Sequence, residues 1–226
     1  MTEKPTLFLE FHGHTDDDVK QQTKLVGEII SNFKGKGFLW SNSAKENARL
    51  WTARHNAYYA IVSEKKGCRI NFSPTNGFST DVCVSISRLA EIITETKKDI
   101  DTSGLVGAIV GHVGDGNFHC IFSVNENDRS EMKKVWELSD RLIMRALSIG
   151  GTCTGEHGIG IGKKEYLKKE IGLIGLKTMS VIKQALDPNG IMNPGKLPPQ
   201  TISISSIVIQ FSTNLPRFPF FHRSDL

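Results

Sequence analysis

His112 and His119 flank Gly114-Asp115-Gly116-Asn117 inside a β-favouring run from Leu105 to Phe122. Asp-Gly is a strong tight-turn signal, because both residues tolerate the positive φ that a two-residue hairpin turn requires. A turn centred on Asp115-Gly116 pairs Gly114 with Asn117, Val113 with Phe118 and His112 with His119. Directly opposed residues share a face, with Cβ atoms about 5 Å apart. Neutral imidazoles so placed can hold a metal ion at about 2.1 Å. A plain cross-strand polar pair is the competing reading, and two histidines alone do not decide.

Glu156 and His157 add weight to the metal. They sit among Gly150, Gly151, Gly155, Gly158, Gly160 and Gly162, a density of glycine that lets backbone approach a ligand closely at an entropic cost. Two histidines plus Glu156 make a nitrogen and oxygen donor set suited to zinc, manganese or ferrous iron. His157 is then left free for acid–base work. Nucleotide motifs fail: Gly158-Ile159-Gly160-Ile161-Gly162 is not GxGxxG, and Gly162-Lys163 lacks the rest of a P-loop. Lys163, Lys164, Lys168 and Lys169 read as a solvated helix face. Arg54, beside His55, carries a planar fork able to clamp a carboxylate. Asn193-Pro194-Gly195-Lys196 is, by itself, a turn.

The elements that must position these residues follow from periodicity. Leu7 to Phe11 reads as a strand. Thr15 caps a helix whose first turn is Asp16, Asp17 and Asp18; Val19, Val26, Ile29, Ile30 and Phe33 form its stripe, and Gly35 ends it. A second helix is expected from Ala44 to about Ser63, a loop from Lys65 to Asn76, and a strand from Thr80 to Val84. Ser87 opens a helix with Leu89, Ile92, Ile93 and Ile100 on one face, closed by Gly104. After the hairpin, Asp128 with Glu131 signals a capping box, and Met132, Val135, Ser139, Leu142, Ile143 and Ala146 share a face up to Gly150. A basic helix and a last helix ending at Leu186 follow the glycine loop. Helices mixed with an antiparallel hairpin predict an α+β fold, with helices packed on a mostly antiparallel sheet.

Bulk properties narrow the class. The 226 residues are 38% hydrophobic and 23% charged, as in an ordinary globular chain. A net charge of +4 with scattered basic residues argues against nucleic acid. No apolar run reaches the roughly 18 residues of a membrane span. Cys68, Cys83, Cys120 and Cys153 show no CxxC spacing and read as reduced thiols of an intracellular protein. The start carries neither a signal nor an arginine-rich transit pattern. From Thr201 to Phe211 the chain alternates apolar and polar residues, then meets Pro216 and Pro219. Residues 198–226 are therefore expected to form an irregular or disordered tail.

Five stretches occurring in order resemble one family. They are Leu50-Trp51-Thr52-Ala53-Arg54-His55-Asn56-Ala57, Ser79-Thr80-Asp81-Val82-Cys83-Val84, and Gly111-His112-Val113-Gly114-Asp115-Gly116-Asn117-Phe118-His119. Gly151-Thr152-Cys153-Thr154-Gly155-Glu156-His157-Gly158-Ile159-Gly160 and Leu186-Asp187-Pro188-Asn189-Gly190-Ile191-Met192-Asn193-Pro194-Gly195-Lys196 complete the set. Together they are similar to the carboxy-terminal cap domain of FAD-linked oxidases of the vanillyl-alcohol-oxidase type. Among these, the mitochondrial cytochrome-linked D-lactate dehydrogenases are most similar. GHxGDGNxH followed by GEHGxG is highly specific, and the resemblance runs from about residue 5 to 197.

The resemblance implies a ferredoxin-like cap over residues 1–197, FAD, a divalent metal (zinc or manganese), a mitochondrial location, and cytochrome c or a similar electron acceptor. It implies metal ligands at His112, His119 and Glu156, a base at His157, a carboxylate-binding Arg54, and Asn193 near the flavin. The implied reaction oxidises D-lactate or a related D-2-hydroxy acid to the 2-oxo acid. Ile121 stands where the resembling 2-hydroxyglutarate dehydrogenases place asparagine, and Ser79 replaces that group's lysine, which favours a substrate with one carboxylate. Three departures accompany this: no flavin-binding domain, an insertion around Ile70 to Asn76, and the tail after Leu197. They leave two other expectations open, a truncated non-catalytic form and a flavin-free enzyme using the same three ligands.

Overall fold

The computed structural model describes residues 4–38, 40–41, 43–64 and 75–196. At its centre lies β4, Asn117–Asn125, buried along nearly its whole length. On one edge β4 pairs antiparallel with β3, Val106–His112. Its other edge pairs antiparallel with β1, Thr75–Ser79, and then β2, Val82–Cys83. The strand expected from Thr80 to Val84 thus begins at Thr75 and is interrupted at Thr80 and Asp81. Ser79 opposes Ile121 and Val82 opposes Phe118, so the register does not slip across the interruption. At the gap the Thr80 hydroxyl accepts the Cys120 amide at 2.8 Å, replacing a backbone acceptor.

Between β2 and β3 runs α4, Ile86–Ser103, opened by Ser85 rather than Ser87 and closed by left-handed Gly104 (φ 72°). After β4 comes α5, Arg129–Ser148, whose N-cap Asp128 accepts the amides of Ser130 and Glu131. Beyond α5, a single antiparallel bridge joins Thr152 to Cys83 on the outer edge of β2. This order, strand–helix–strand–strand–helix with one bridge in place of a final strand, is the ferredoxin-like split β-α-β arrangement. The α+β expectation holds.

Alternate residues of β4 point to opposite sides. Phe118, Cys120, Phe122 and Val124 meet α4 and α5, whose buried residues include Ile92, Ile100, Leu138 and Leu142. Across the helix pair, Arg141 donates to both carboxylate oxygens of Asp99 at 2.6 and 3.0 Å, and Arg145 adds a bond at 3.3 Å. The hydrogen bond from Arg141, against desolvation and aided by both arginine charges, holds the Asp99 carboxyl below its ordinary range.

The opposite face of the sheet carries α3, Ala57–Ser63. Ser123 donates to the Val62 carbonyl at 2.8 Å. Gly77 permits the close approach, since a Cβ there would lie 2.4 Å from the Tyr58 hydroxyl. The expected helix from Ala44 to Ser63 is in fact two: α2, Ala44–His55, and α3, divided at Asn56.

Nearer the amino terminus, α1, Asp16–Asn32, begins in a full capping box between Thr15 and Asp18. At its end Lys34, not Gly35, takes the left-handed position (φ 60°). The Gly35 amide reaches the Ile30 carbonyl at 2.8 Å and that of Lys34 reaches Ser31 at 3.1 Å, a Schellman closure. Leu7 to Phe11, expected as a strand, pairs with nothing among the described residues and leaves Leu7 and Leu9 exposed. A strand needs a ladder partner to satisfy its amides. The expected insertion lies outside the described residues apart from Thr75 and Asn76, and the tail lies outside them altogether.

The chain divides into two compact units, Met1–Gly158 and Ile159–Leu226. In the second, a 3-10 turn at Lys164–Tyr166 leads into α6, Leu167–Leu186, kinked at Gly172 (φ 69°). That kink separates the two expected helices. Among the described residues no helix is long and apolar enough to cross a membrane.

Candidate metal and proton-transfer site

The β3–β4 connection differs from the expected two-residue turn. It is a 3-10 turn, Val113–Asp115, followed by Gly116 at φ 74°. His112 therefore opposes Asn117, and His119 opposes Val110. The wider turn is held by its neighbour: the Val84 amide donates to the Gly116 carbonyl at 3.0 Å, and a Cβ on Gly116 would meet the Val84 oxygen at 2.0 Å. A register change of two residues keeps every side chain on its face, whereas a change of one would reverse it. His112 and His119 remain together, now diagonal, with ring centroids 6.1 Å apart.

His119 is buried and oriented by the strand interruption. Its Nδ1 lies 3.1 Å from the Thr80 carbonyl. A carbonyl only accepts, so Nδ1 carries a proton and Nε2 is the nitrogen turned to the site. From there Nε2 meets Glu156 Oε1 at 2.9 Å, and His112 Nε2 meets the same oxygen at 3.4 Å. The His157 ring stacks on His119, centroids 4.7 Å apart and 11° from parallel.

The glycine loop reaches this position through Asp81, a residue to which the sequence reading gave no role. One oxygen, Oδ2, accepts from the Thr154 hydroxyl at 2.7 Å and from the amides of Gly155, Glu156 and His157 at 2.8, 3.0 and 2.8 Å. Asn117 donates its side-chain amide to Oδ1 at 2.8 Å. Gly155 has to be glycine, because a Cβ would lie 1.9 Å from Asn117 Nδ2. The sequence signal was there: an acid inside an apolar strand is poorly explained as packing.

A divalent ion fits this donor set. One nitrogen from His112, one from His119 and a Glu156 oxygen all lie within 4.8 Å of one another. Tetrahedral ligands with bonds near 2.1 Å stand roughly 3.4 Å apart, close to the 2.9 and 3.4 Å separations from Glu156. The Nδ1–carbonyl bond of His119 is the usual outer support of a ligating imidazole. His112 and Glu156 are half exposed, which leaves the site open on one side.

Arg54, half-buried, lies in the last turn of α2, and its guanidinium forms no hydrogen bond or ion pair among the described residues. It lies one turn before α3, which covers the same sheet face that bears His119. Asn193, in the second unit, is left-handed (φ 47°) and exposed. The loop before it is pinned by Asp187, which accepts the amides of Ile191 and Met192 at 3.0 and 2.9 Å and pairs with Lys183. The Lys183 bond keeps the Asp187 carboxyl below its ordinary range. Buried Cys120 is no nucleophile: desolvation pushes its thiol up to about 12.

The antiparallel sheet with α4 and α5 on one face defines an α+β cap domain. The family model described as "FAD linked oxidases, C-terminal domain" matches residues 1–197, and the chain belongs to that family. It is 46% identical over 193 residues to a probable mitochondrial D-lactate dehydrogenase of Danio rerio, covering 85% of this chain and 37% of that protein. It is 41% identical over 199 residues to the mitochondrial D-lactate dehydrogenase [cytochrome] of Arabidopsis thaliana, covering 88% of this chain and 34% of that one. The chain thus spans about a third of the length of these relatives. A solved 4-ethylphenol oxidase from Gulosibacter chungangensis shares the fold with a TM-score of 0.51 at 20% identity, over 80% of this chain and 38% of that one.

Proposed function

We propose that this chain supplies the metal and substrate groups for FAD-dependent oxidation of D-lactate, or a related D-2-hydroxy acid, to the 2-oxo acid. The observation that carries the proposal is the meeting of His112, His119 and Glu156 with His157 stacked beside them. The names of the relatives support the substrate class, a mitochondrial location, and cytochrome c or a similar acceptor.

His112, His119 and Glu156 would hold the ion, zinc or manganese. A bound divalent ion supplies Lewis acidity, which lowers the pKa of an alcohol. His157, exposed and therefore in proton exchange with water, takes the α-hydroxyl proton. Arg54 pairs with the substrate carboxylate through its two-pronged guanidinium. FAD, when bound, would supply the acceptor for the α-hydrogen as hydride, and Asn193 is the residue of this chain proposed to lie near it. As O–H and C–H bonds break, the carbon–oxygen double bond forms, and the proton resides on His157.

The chain alone is expected to be inactive, so the test is anaerobic addition of D-lactate to the assembled, metal-loaded enzyme with FAD, following flavin bleaching. Bleaching that His157→Ala slows by at least about 100-fold is the expected result. No bleaching by any D-2-hydroxy acid would contradict it. Oxygen consumption with bound iron and without flavin would point instead to an iron enzyme built on the same three ligands.

A further inference from the structure

Asp81 is a buried carboxylate, 1% exposed, with no part in the chemistry above. In the unslipped register between Ser79–Ile121 and Val82–Phe118 it stands opposite His119. Its Oδ1 is 3.6 Å from His119 Nδ1. Three consecutive amides, Gly155 to His157, converge on its Oδ2 together with the Thr154 hydroxyl. Successive amides curled about one oxygen form an anion-binding nest. Here the anion is a side chain of the same protein.

We infer that Asp81 is a positioning residue: its carboxylate draws the 154–157 loop onto the sheet, aims Glu156 at the two histidines, and sets the donor strength of His119. The inference rests on the metal reading of His112, His119 and Glu156. A loop so rich in glycine has no conformational preference that would fix Glu156 by itself. Anchoring both neighbours of Glu156 and Glu156 itself by their amides removes that freedom. The carboxylate also faces the proton-bearing nitrogen of His119, where negative charge makes Nε2 a better donor.

Asp81, His119 and His157 also lie near enough to one another to suggest a cation site of their own. The hydrogen bonds argue against it. Amide hydrogens surround the carboxylate and would repel a cation, and Nδ1 of His119 is committed to the Thr80 carbonyl. Gly155 belongs to the same device, since any side chain there would displace Asn117 from Oδ1.

The test compares cobalt(II) binding by the 226-residue chain and its variants, using competition with a chromophoric chelator and the visible absorption of the bound ion. Asp81→Asn is expected to weaken cobalt affinity by about 10- to 100-fold and to alter the absorption bands, while circular dichroism stays unchanged. Asp99→Asn, which loosens α4 and α5 far from the loop, is expected to leave affinity and bands as in the unaltered chain. Asp81→Asn with unaltered affinity and bands would overturn the inference alone. If Asp81→Asn does not fold, Thr154→Val decides: a loss of roughly threefold or more with shifted bands supports the anchor, and no change overturns it. An unaltered chain that takes up no cobalt would overturn both this inference and the metal reading.

Discussion

Gly155 has no room for a side chain: an added Cβ would meet Asn117 Nδ2 at 1.9 Å and Asp81 Oδ1 at 2.7 Å. Gly155→Ala should therefore destabilise the fold by about 1–3 kcal/mol, as overpacking does. For a chain of this size that lowers Tm by roughly 3–10 °C, readable by calorimetry. An unchanged Tm would mean that the loop does not sit on Asp81. At this scale much was legible. The strand alternation around Asp115-Gly116 placed His112 and His119 on one face, and the wrong turn length did no harm because the error was two residues. The role of Asp81 is to accept the Thr154 hydroxyl and three amides from residues 73 to 76 positions away. An acid inside an apolar strand signals that some partner exists, but local pattern does not say which.

Helices α4 and α5 were readable in nearly full extent, because each buries one stripe and carries its own cap. The breaks were not. Asn56 divides α2 from α3, and Thr80 with Asp81, whose side chains bond Cys120 and the 154–157 loop, divides β1 from β2. Between α4 and α5 the Asp99 pairs give a pH-dependent contribution. Its carboxyl is held below the ordinary range, so its stabilisation is fully present above that range and fades as pH falls through the lowered value. Asp99→Asn should cost about 1 kcal/mol at neutral pH. In urea unfolding the gap between the two proteins should narrow below about pH 4. A gap that stays constant down to acid would show that Asp99 is not the group responsible.

For the whole molecule, the sheet separates structure from chemistry: one face of β4 meets α4 and α5, and the other bears His119, Ile121 and Ser123 beneath α3. Ile121 is buried two residues beyond His119, with Ser79 opposite on β1 and Ala108 opposite on β3. None of the three offers a charge to a second carboxylate, and burying one unpaired would cost several kcal/mol. The assembled enzyme should prefer D-lactate, or a slightly larger aliphatic acid, over D-2-hydroxyglutarate by at least about tenfold in kcat/KM, roughly 1.4 kcal/mol. Steady-state kinetics with both acids would check it, and equal turnover of D-2-hydroxyglutarate would refute it. Arg54→Ala should impair all such acids alike, because every one carries the α-carboxylate.

The proposed function needs one ion held by three side chains. The most direct measurement is elemental analysis of the chain, purified without chelator, beside His112→Ala and Glu156→Gln. About one equivalent of zinc or manganese in the unaltered chain, lost in both variants while their folds persist, is the result predicted. A full equivalent retained by His112→Ala, or an unaltered chain that stays empty when metal is supplied, would contradict it.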